Sequence, residues 1–128
     1  MRLLTHNYLQ SNVKGTTKGY PLIIEATEVI TEESPVDSQL LTKLVSKLDY
    51  AVLVGAAKQL NNTPTVDLPE LPETLPEQPL TDELLIQTLH TILMDVHIVE
   101  GHLVCPDTGR KFPIKEGIPN MILHEDEV

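Results

Sequence analysis

The sequence predicts an α+β protein with β-structure at both ends of the chain and helices in the middle. Residues 20–30 and 97–123 are rich in β-branched and apolar side chains, punctuated by turn residues. Between them, apolar residues recur at helical spacing over residues 36–60 and 81–98. Because two strands alone are marginal in water, we expect the N-terminal strands to pair with the C-terminal hairpins.

This order of elements predicts two interlocked lobes. Residues 1–33 and 97–128 form a small discontinuous β-lobe that includes one short helix. Residues 34–96 form a helical lobe inserted between them, and this lobe contains a proline-rich connection over residues 63–79. A chain of 128 residues is long enough for such an arrangement.

The first ten residues predict a strand followed by a short helix. Residues 2–4 are a short apolar run, which favours a strand. Residues 5–10 follow as the helix, with Thr5 as a candidate N-cap and with Tyr8 and Leu9 as buried side chains.

The next strand is predicted over residues 20–30. Two glycines and two threonines within residues 12–19 provide the turn before it. Pro21 lacks a backbone N–H donor, so it belongs at the start of the strand or on a sheet edge.

Two helices follow, over residues 36–48 and 49–60. Asp37 or Ser38 caps the first helix and Asp49 caps the second, because short polar side chains accept hydrogen bonds from the free N–H groups of a first turn. Each helix carries one apolar face that it can bury.

Residues 63–79 carry five of the ten prolines and four acidic residues. Proline removes backbone donors and fixes φ, which excludes a helix or a central strand here. We expect an extended surface connection that Leu68, Leu71 and Leu75 attach to the core. A proline-rich ligand for an SH3-type domain is the alternative.

Residues 81–98 carry the clearest helical pattern. Thr81 is the predicted N-cap, and Asp82 and Glu83 complement the helix dipole in the first turn. His90 lies within the apolar stripe, where we expect a structural histidine with satisfied hydrogen bonds.

The C-terminal part predicts β-hairpins. Over residues 97–114 the turns are expected at Glu100 and Gly101 and at residues 106–109. Residues 115–123 add a turn and a last short strand, and the acidic residues after them are expected to form a solvated tail.

The composition limits the function classes. The net charge is −10, with 9 basic and 19 acidic residues, so the chain is a poor candidate for binding nucleic acid by itself. A single cysteine excludes an internal disulfide framework and favours a reducing compartment. No apolar run approaches the length of a membrane span, and the first residues lack the apolar region of a secretory signal.

Cys105 opens a tight turn, CPDTG, that resembles half of a zinc knuckle. The second cysteine of a knuckle would stand at Thr108, and structural zinc takes four cysteine or histidine ligands. Catalysis by the cysteine would need an oriented base. His102 lies three residues earlier, so in a strand it points to the opposite face, and His97 would reach the cysteine only in a favourable register. These residues therefore argue against an enzyme.

The two ends of the chain resemble the eukaryotic multifunctional methyltransferase subunit family. The resemblance rests on MRLLTHNYLQSNVKG and GYPLIIEATEV near the start and on EGHLVCPDTGRKFPIKEGIPNMILHEDEV at the end. It is strong over about the first 30 and the last 32 residues, whereas the middle matches in helical pattern more than in identity. The implied fold is a zinc-knuckle-like lobe made from both termini with an inserted helical lobe.

The resemblance also implies the function. Such subunits are non-catalytic partners that activate and stabilise several S-adenosylmethionine-dependent methyltransferases, which act on tRNA, rRNA and a translation termination factor. The implied partner is one Rossmann-like methyltransferase at a time, in a heterodimer located in the cytoplasm or the nucleus. S-adenosylmethionine and the catalytic residues belong to that partner, so the chain is expected to need no cofactor and to meet RNA only indirectly.

Some members of that family hold zinc with four cysteines, two from each end of the chain. The matching positions here are Ser11, Thr16, Cys105 and Thr108, so three of the four ligands are replaced. Neither serine nor threonine is a usual zinc ligand. The resemblance therefore implies a degenerate, metal-free site held by hydrogen bonds and packing, in which we expect the cysteine to be a small buried apolar residue.

An exposed sheet edge accepts a strand from a partner through main-chain bonds that depend little on the partner's side chains. We expect the apolar segments 3–7 and 118–123 to lie at such an edge and to cover an apolar patch of the methyltransferase. Burial in the core is the alternative for each residue. The candidate partner-binding residues are Leu3, Leu4, Thr5, His6, Asn7, Ile118, Pro119, Asn120, Met121, Ile122 and Leu123.

Two other functions are alternatives. The first is a knuckle-like RNA-binding module that presents substrate RNA, and the second is a small hydrolase that uses the single cysteine. The basic residues that would serve the RNA-binding module are Lys14, Lys18, Arg110, Lys111 and Lys115. Binding of the isolated chain to RNA at physiological salt would favour the first alternative.

Overall fold

The computed structural model describes residues 1–61, 68–74 and 82–127. Its helices are α1 (Leu3–Tyr8), α2 (Ser38–Lys47), α3 (Tyr50–Asn61) and α4 (Glu83–His90), which continues into a π-helical turn (Thr91–Asp95). Its strands are β1 (Ile23–Thr31), β2 (Val96–Val104), β3 (Lys111–Lys115) and β4 (Ile118–Pro119), followed by a 3-10 turn (Glu125–Glu127). The predicted α+β class is confirmed.

The strands form one antiparallel sheet in the order β1-β2-β3-β4. The predicted pairing of the two chain ends is confirmed, since β1 pairs with β2 along its whole length. Pro21 precedes β1, as predicted. Ile24, Leu103 and Phe112 are neighbours in one row of the sheet and are buried, whereas Ile23 in the adjacent row is exposed. The sheet therefore has one buried face and one open face.

The strand predicted for residues 2–4 is wrong, because Leu3 is the first residue of α1. This helix packs against α3 and the π-helical turn. Thr5 is not the N-cap; Arg2 holds that position, and its carbonyl accepts a hydrogen bond from the Thr5 N–H at 3.1 Å. Tyr8, predicted to be buried, is exposed because so short a helix buries only one face.

Helices α2 and α3 follow the prediction, and their caps are confirmed. The Asp37 carboxylate accepts a hydrogen bond from the Leu40 N–H at 3.0 Å. The Asp49 carboxylate accepts one from the Val52 N–H at 3.3 Å. Both bonds satisfy donors that a first helical turn leaves free.

The cap of α4 is Asp82, whose carboxylate accepts hydrogen bonds from the N–H groups of Leu84 and Leu85 at 3.0 and 3.3 Å. The predicted cap, Thr81, lies outside the described residues. One carboxylate here both caps the helix and complements its dipole.

The helix predicted to reach residue 98 ends earlier. Helix α4 stops at His90, the π-helical turn follows, and β2 begins at Val96. Val96 and Ile98 are both buried, with a less buried residue between them. Val96 continues the helical stripe, but Val96 and Ile98 together also satisfy a period of two, and pairing with β1 selects the strand.

The turn predicted at Glu100 and Gly101 is wrong, because β2 runs through both residues. Gly101 lies opposite Ala26 with a φ of +153°, and a β-carbon there would be 2.3 Å from the carbonyl oxygen of Glu25. The glycine permits a close approach where the β1–β2 ladder is irregular. The turn predicted at residues 106–109 is confirmed.

The described part of the proline-rich connection lies against the helices. Leu68 is buried, Leu71 is partly buried against the core, and the Asn61 side chain accepts a hydrogen bond from the Leu68 N–H at 2.8 Å. The predicted attachment of these two leucines is confirmed, whereas Leu75 lies outside the described residues.

Buried side chains of the sheet and of the helices belong to one hydrophobic cluster. Ile24 and Phe112 of the sheet share it with Leu41, Leu53 and Leu89 of the helices. The division of the chain into two lobes stays a prediction. In the part of the chain that the structure describes, no helix has the length and apolar character that crossing a membrane requires.

Candidate functional site

The C-terminal candidate residues follow a tight turn at the end of β3. We call residues 118–123 the edge segment. Glu116 and Gly117 both have positive φ, 52° and 78°, and the Gly117 N–H donates to the carbonyl of Val99 at 2.9 Å. A two-residue turn of this kind matches the twist of paired strands, so it directs the edge segment back along β3.

The edge segment begins with β4, which is one of the two edge strands of the sheet. Ile118 pairs with Lys115, and the Asn120 N–H donates to the carbonyl of Pro113 at 2.9 Å. Ile118 and Ile122 are 69% and 77% exposed. The groove beside them measures about 510 Å³ and is lined by Pro113, Lys115, Ile118, Pro119, Asn120, Met121 and Ile122. Large apolar side chains exposed on an open edge are typical of an interaction surface.

Two residues of the edge segment face the protein instead. Met121 and Leu123 are partly buried against the hydrophobic cluster. They alternate with the more exposed Asn120 and Ile122, as expected for extended chain. The segment is thus attached by one side and open on the other.

The N-terminal candidate residues are mostly core residues. Leu3, His6 and Asn7 are buried, Leu4 is partly buried and Thr5 is exposed. They form helix α1 and not the edge strand that we predicted. Among the residues described, none of α1 lines the groove of the edge segment. A partner contact through this half of the candidate site stays a prediction.

His6 and Asn7 make structural hydrogen bonds that the sequence does not signal. The Asn7 side chain donates to the carbonyl of Asp49 at 2.8 Å and accepts from its N–H at 2.9 Å. Nε2 of His6 lies 2.7 Å from the carbonyl oxygen of Leu22. Burial lowers the pKa of His6, against the opposing effect of this bond. These contacts join α1 to the start of α3 and to the chain before β1.

The degenerate ligand positions meet at the Sγ atom of Cys105. Oγ1 of Thr16 lies 3.8 Å from this sulfur, and the Thr108 N–H donates to it at 3.4 Å. Burial raises the pKa of the Cys105 thiol, but hydrogen bonds from Ser11, from Thr108 and from the Asp107 backbone outweigh burial and lower the pKa to about 6. The cysteine is buried as predicted, and its sulfur has hydrogen-bond partners that favour the ionised form of the thiol.

This donor set does not fit zinc. One sulfur and three hydroxyl groups occupy the four positions, whereas zinc sites in proteins use cysteine, histidine or carboxylate ligands. Across residues 1–61, 68–74 and 82–127, no group of three or more histidine, cysteine or acidic side chains is arranged to hold a metal ion. The chemistry of the four positions suits hydrogen bonding to a thiolate instead.

Asp107 also joins the turn at residues 106–109 to the turn within residues 12–19, and the sequence did not predict this contact. Its carboxylate accepts hydrogen bonds from the N–H and the hydroxyl of Thr17 at 2.6 and 2.9 Å, and from the Lys18 N–H at 3.3 Å. The bonds from Thr17 are the main cause of a lowered pKa for Asp107. The two chain ends are therefore joined by contacts to the Asp107 carboxylate and to the Cys105 sulfur.

Two of the basic residues near these turns are paired with acids. Nε of Arg110 lies 2.5 Å from Glu127, and Nζ of Lys111 lies 3.2 Å from Glu25. With a net charge of −10 on the whole chain, this pairing weakens the case for direct RNA binding.

His90 is the structural histidine that we predicted, and its partners are Ser34 and Asp95. Nε2 of His90 lies 3.0 Å from the Ser34 hydroxyl and 3.3 Å from the Asp95 carboxylate, while the Ser34 hydroxyl donates to Asp95 at 2.6 Å. A serine nucleophile has to donate to the histidine, which the carboxylate orients from its other nitrogen. Here the serine donates to the carboxylate. The cluster fixes the loop before α2 onto the π-helical turn and does not form a triad.

The hydrolase alternative finds no support at the cysteine either. Cys105 is buried and His102 is exposed, in agreement with the predicted opposite orientation. His102 therefore does not give the cysteine a base.

Comparison with known proteins identifies similar chains along the whole length. A family model described as Trm112p-like protein matches residues 2–117. The multifunctional methyltransferase subunit TRM112 homolog A of Arabidopsis thaliana is 45% identical over 130 residues, with 100% of both chains covered. The corresponding TRM112-like protein of Mus musculus is 41% identical, with 99% of this chain and 98% of the relative covered. The TRM112 subunit of Saccharomyces cerevisiae is 32% identical, with 96% of each covered.

The similar chains include a solved structure. It is the E. cuniculi Mtq2-Trm112 complex, described as responsible for methylation of the translation termination factor eRF1. The match covers 95% of this chain and 95% of that chain, with a TM-score of 0.51 and 16% sequence identity. At this identity, the likeness supports the fold alone.

Proposed function

The chain belongs to the Trm112p-like family, and we propose that it is a non-catalytic subunit that activates and stabilises several S-adenosylmethionine-dependent methyltransferases. The observation that carries the proposal is the edge segment, where Ile118 and Ile122 stand exposed on an open sheet edge. The relatives are named multifunctional methyltransferase subunits, which agrees with a docking surface that serves several enzymes. The proposed substrates of those enzymes are tRNA, rRNA and a translation termination factor.

Docking at the edge segment explains how one small chain serves several partners. Main-chain hydrogen bonds along a sheet edge require an extended strand in the partner but little of its side chains. Burial of the two exposed isoleucines adds about 1.5–3 kcal/mol for each side chain that is fully covered. Because all partners use one surface, each complex is a heterodimer with one methyltransferase.

Activation follows from mutual stabilisation. A ligand that binds only the folded state stabilises that state by mass action, and here each chain is the ligand of the other. The methyltransferase binds S-adenosylmethionine and supplies the catalytic residues, and the subunit keeps those pockets in shape. We place the complexes in the cytoplasm and the nucleus. RNA contacts the subunit only through the partner.

The N-terminal candidate residues have a smaller part in this proposal. Leu3, His6 and Asn7 hold α1 in the core, whereas Leu4 and Thr5 offer the accessible part of that helix to the partner. The main contact is the edge segment.

Affinity purification of the tagged full chain tests the proposal, with co-purifying methyltransferases as the readout. We expect the double variant Ile118→Asp/Ile122→Asp to lose them, because each carboxylate would be desolvated against an apolar patch. Leu84→Asp is the matched control, since Leu84 is 74% exposed on α4 and does not line the groove of the edge segment.

Three results would contradict the proposal. The first is a wild-type chain that captures no methyltransferase, and the second is a double variant that captures as much as the control. Binding of the isolated chain to RNA at physiological salt would favour the RNA-presenting alternative.

A further inference from the structure

The acidic end of the described chain folds back onto the turns, although its composition predicts a solvated tail. The 3-10 turn Glu125–Glu127 brings the Glu127 carbonyl to the Lys14 N–H, which donates to it at 2.6 Å. The Glu127 carboxylate lies 2.5 Å from Nε and 3.1 Å from Nη2 of Arg110. It also accepts a hydrogen bond from the His124 N–H at 3.1 Å. We call the pair of side chains the Arg110–Glu127 clamp.

The surroundings of the clamp distinguish it from an ordinary surface ion pair. The Arg110 and Glu127 side chains are 24% and 16% exposed, and the guanidinium group lies over the ring of the buried Phe112 at 4.8 Å. The hydrogen bond from Arg110 is the main cause that lowers the pKa of Glu127 to about 2. Two nitrogens on two carboxylate oxygens fix orientation as well as distance.

The neighbouring pair of Lys111 and Glu25 provides a contrast, because Lys111 is the residue next to Arg110. Its side chains are 58% and 50% exposed, and one contact of 3.2 Å joins them. Exposed single contacts of this kind contribute little. Lys111 therefore offers a matched control in which a cation is removed one residue from the clamp.

The clamp fixes the downstream end of the edge segment. The upstream end is held by the hydrogen bond from Asn120 to Pro113, and the Ile122 N–H donates to the Asn120 side chain at 3.0 Å. A segment that is anchored at both ends has fewer accessible conformations than one anchored at a single end. The exposed isoleucines are thus presented on a restrained backbone.

We propose that Arg110 and Glu127 are positioning residues that hold the edge segment in the shape to which the methyltransferase binds. This inference rests on the proposed function and names the device that prepares its docking surface. A restrained segment loses less conformational freedom on binding, so the clamp raises affinity without touching the partner. Loss of the clamp is expected to raise the Kd roughly tenfold.

Hydrogen exchange on the free full-length chain tests the restraint itself. In Arg110→Gln and Glu127→Gln, we expect faster exchange of the backbone amides in residues 118–123, with unchanged exchange in β2. Lys111→Gln should exchange like the wild type. Unchanged exchange in both clamp variants would overturn the inference.

Affinity for a methyltransferase tests the consequence. The probe is the Mtq2-type methyltransferase of the same organism. It is obtained by co-expression with the full chain, separated from that chain and then titrated with each full-length variant. Both clamp variants should bind roughly tenfold more weakly than Lys111→Gln, and the exchanged pair Arg110→Glu/Glu127→Arg should recover part of the loss. Glu127→Gln leaves β3 unaltered, so the test holds even if Arg110 variants do not fold.

The outcomes separate the inference from the proposed function. Clamp variants that loosen the edge segment yet bind like the control would overturn the positioning role and leave the docking role in place. A wild-type chain that binds no methyltransferase would overturn both.

Discussion

Two short apolar segments, residues 3–7 and 118–123, were assigned the same role by their composition, yet they occupy opposite environments. The first lies in α1 and buries Leu3 against the core, whereas the second lies on the sheet edge and exposes Ile118 and Ile122. Helix α1 packs against α3 and the π-helical turn, and these two elements bury its apolar stripe. An outer strand is covered only by its neighbour and by the face beneath it. Apolar composition alone therefore does not tell a core segment from a docking surface. The elements that pack around each segment determine whether it is buried or exposed.

The largest contrast between the two segments is expected in stability. Leu3→Ala should lower the free energy of unfolding by about 2–5 kcal/mol, because it leaves a cavity in the core. Ile118→Ala should change it by less than about 0.5 kcal/mol, because that side chain is already in solvent. Urea unfolding of the free chain measures both. Equal losses at the two positions would contradict the contrast.

The next largest expected effect is a pH dependence of stability that arises at the turns joining the two chain ends. The folded pKa of Cys105 is about 6, below its usual 9.0, so the folded thiol releases its proton before the unfolded one does. The free energy of unfolding should therefore rise between pH 6 and pH 9, by at most about 1.4 kcal/mol per pH unit, and the gain is lost as pH falls through 6. Chemical unfolding in reducing buffer measures this slope.

Cys105→Ser is the control for that slope, since a serine hydroxyl does not titrate in this range. The variant should show a flatter dependence between pH 6 and pH 9. The same slope in both chains would assign it to other groups and contradict the thiolate at the turns.

A matched pair of asparagines gives a smaller contrast. Asn7 is buried with two hydrogen bonds to the backbone of Asp49, whereas Asn120 is exposed in the edge segment. Asn7→Ala should lower stability by about 1–3 kcal/mol, because it leaves buried backbone groups unpaired. Asn120→Ala should cost less than about 0.5 kcal/mol. Thermal unfolding compares them, and a greater loss at Asn120 would reverse the assignment of the segments.

Local signals in the sequence were sufficient for most of the fold. Asp37 and Asp49 cap their helices because a cap needs only a polar side chain next to its own first turn. The pairing of β1 with the C-terminal strands followed from the marginal stability of two strands alone. The end of α4 was not predictable from Val96, because this residue continues the helical stripe and also begins the strand alternation with Ile98.

Long-range contacts account for most of what the sequence missed at the site. The bonds from Thr17 to Asp107 join residues 90 positions apart, and no local pattern announces them. Glu127 belongs to a run of acidic residues whose composition predicts exposure to solvent. Its pairing with Arg110 depends on where the edge segment ends. The meeting of Ser11 and Thr16 with the cysteine was expected from the family resemblance and not from spacing.

The smallest effect is a difference in acid sensitivity between the two segments. The buried His6 has a lowered pKa, and its Nδ1 has no hydrogen-bond partner among the residues that the structure describes. The stability that His6 contributes is therefore present above its usual pKa of 6.5 and lost as pH falls below that value. Glu127 has a folded pKa of about 2 against a usual 4.5, so the clamp is complete above pH 4.5 and is lost only as pH falls towards 2. Acid should therefore loosen α1 before it loosens the edge segment.

Hydrogen-exchange protection factors, corrected for the intrinsic pH dependence of exchange, measure this order. Between pH 6.5 and pH 4.5, protection in Leu3–Tyr8 should fall while protection in residues 118–123 persists. In Glu127→Gln the edge segment should already be loose at neutral pH and should not respond further to acid. The contrary result is that the edge segment loosens first, with a midpoint near pH 4.5. It would mean that Glu127 titrates as a free carboxylate and that the Arg110–Glu127 clamp does not stabilise the edge segment.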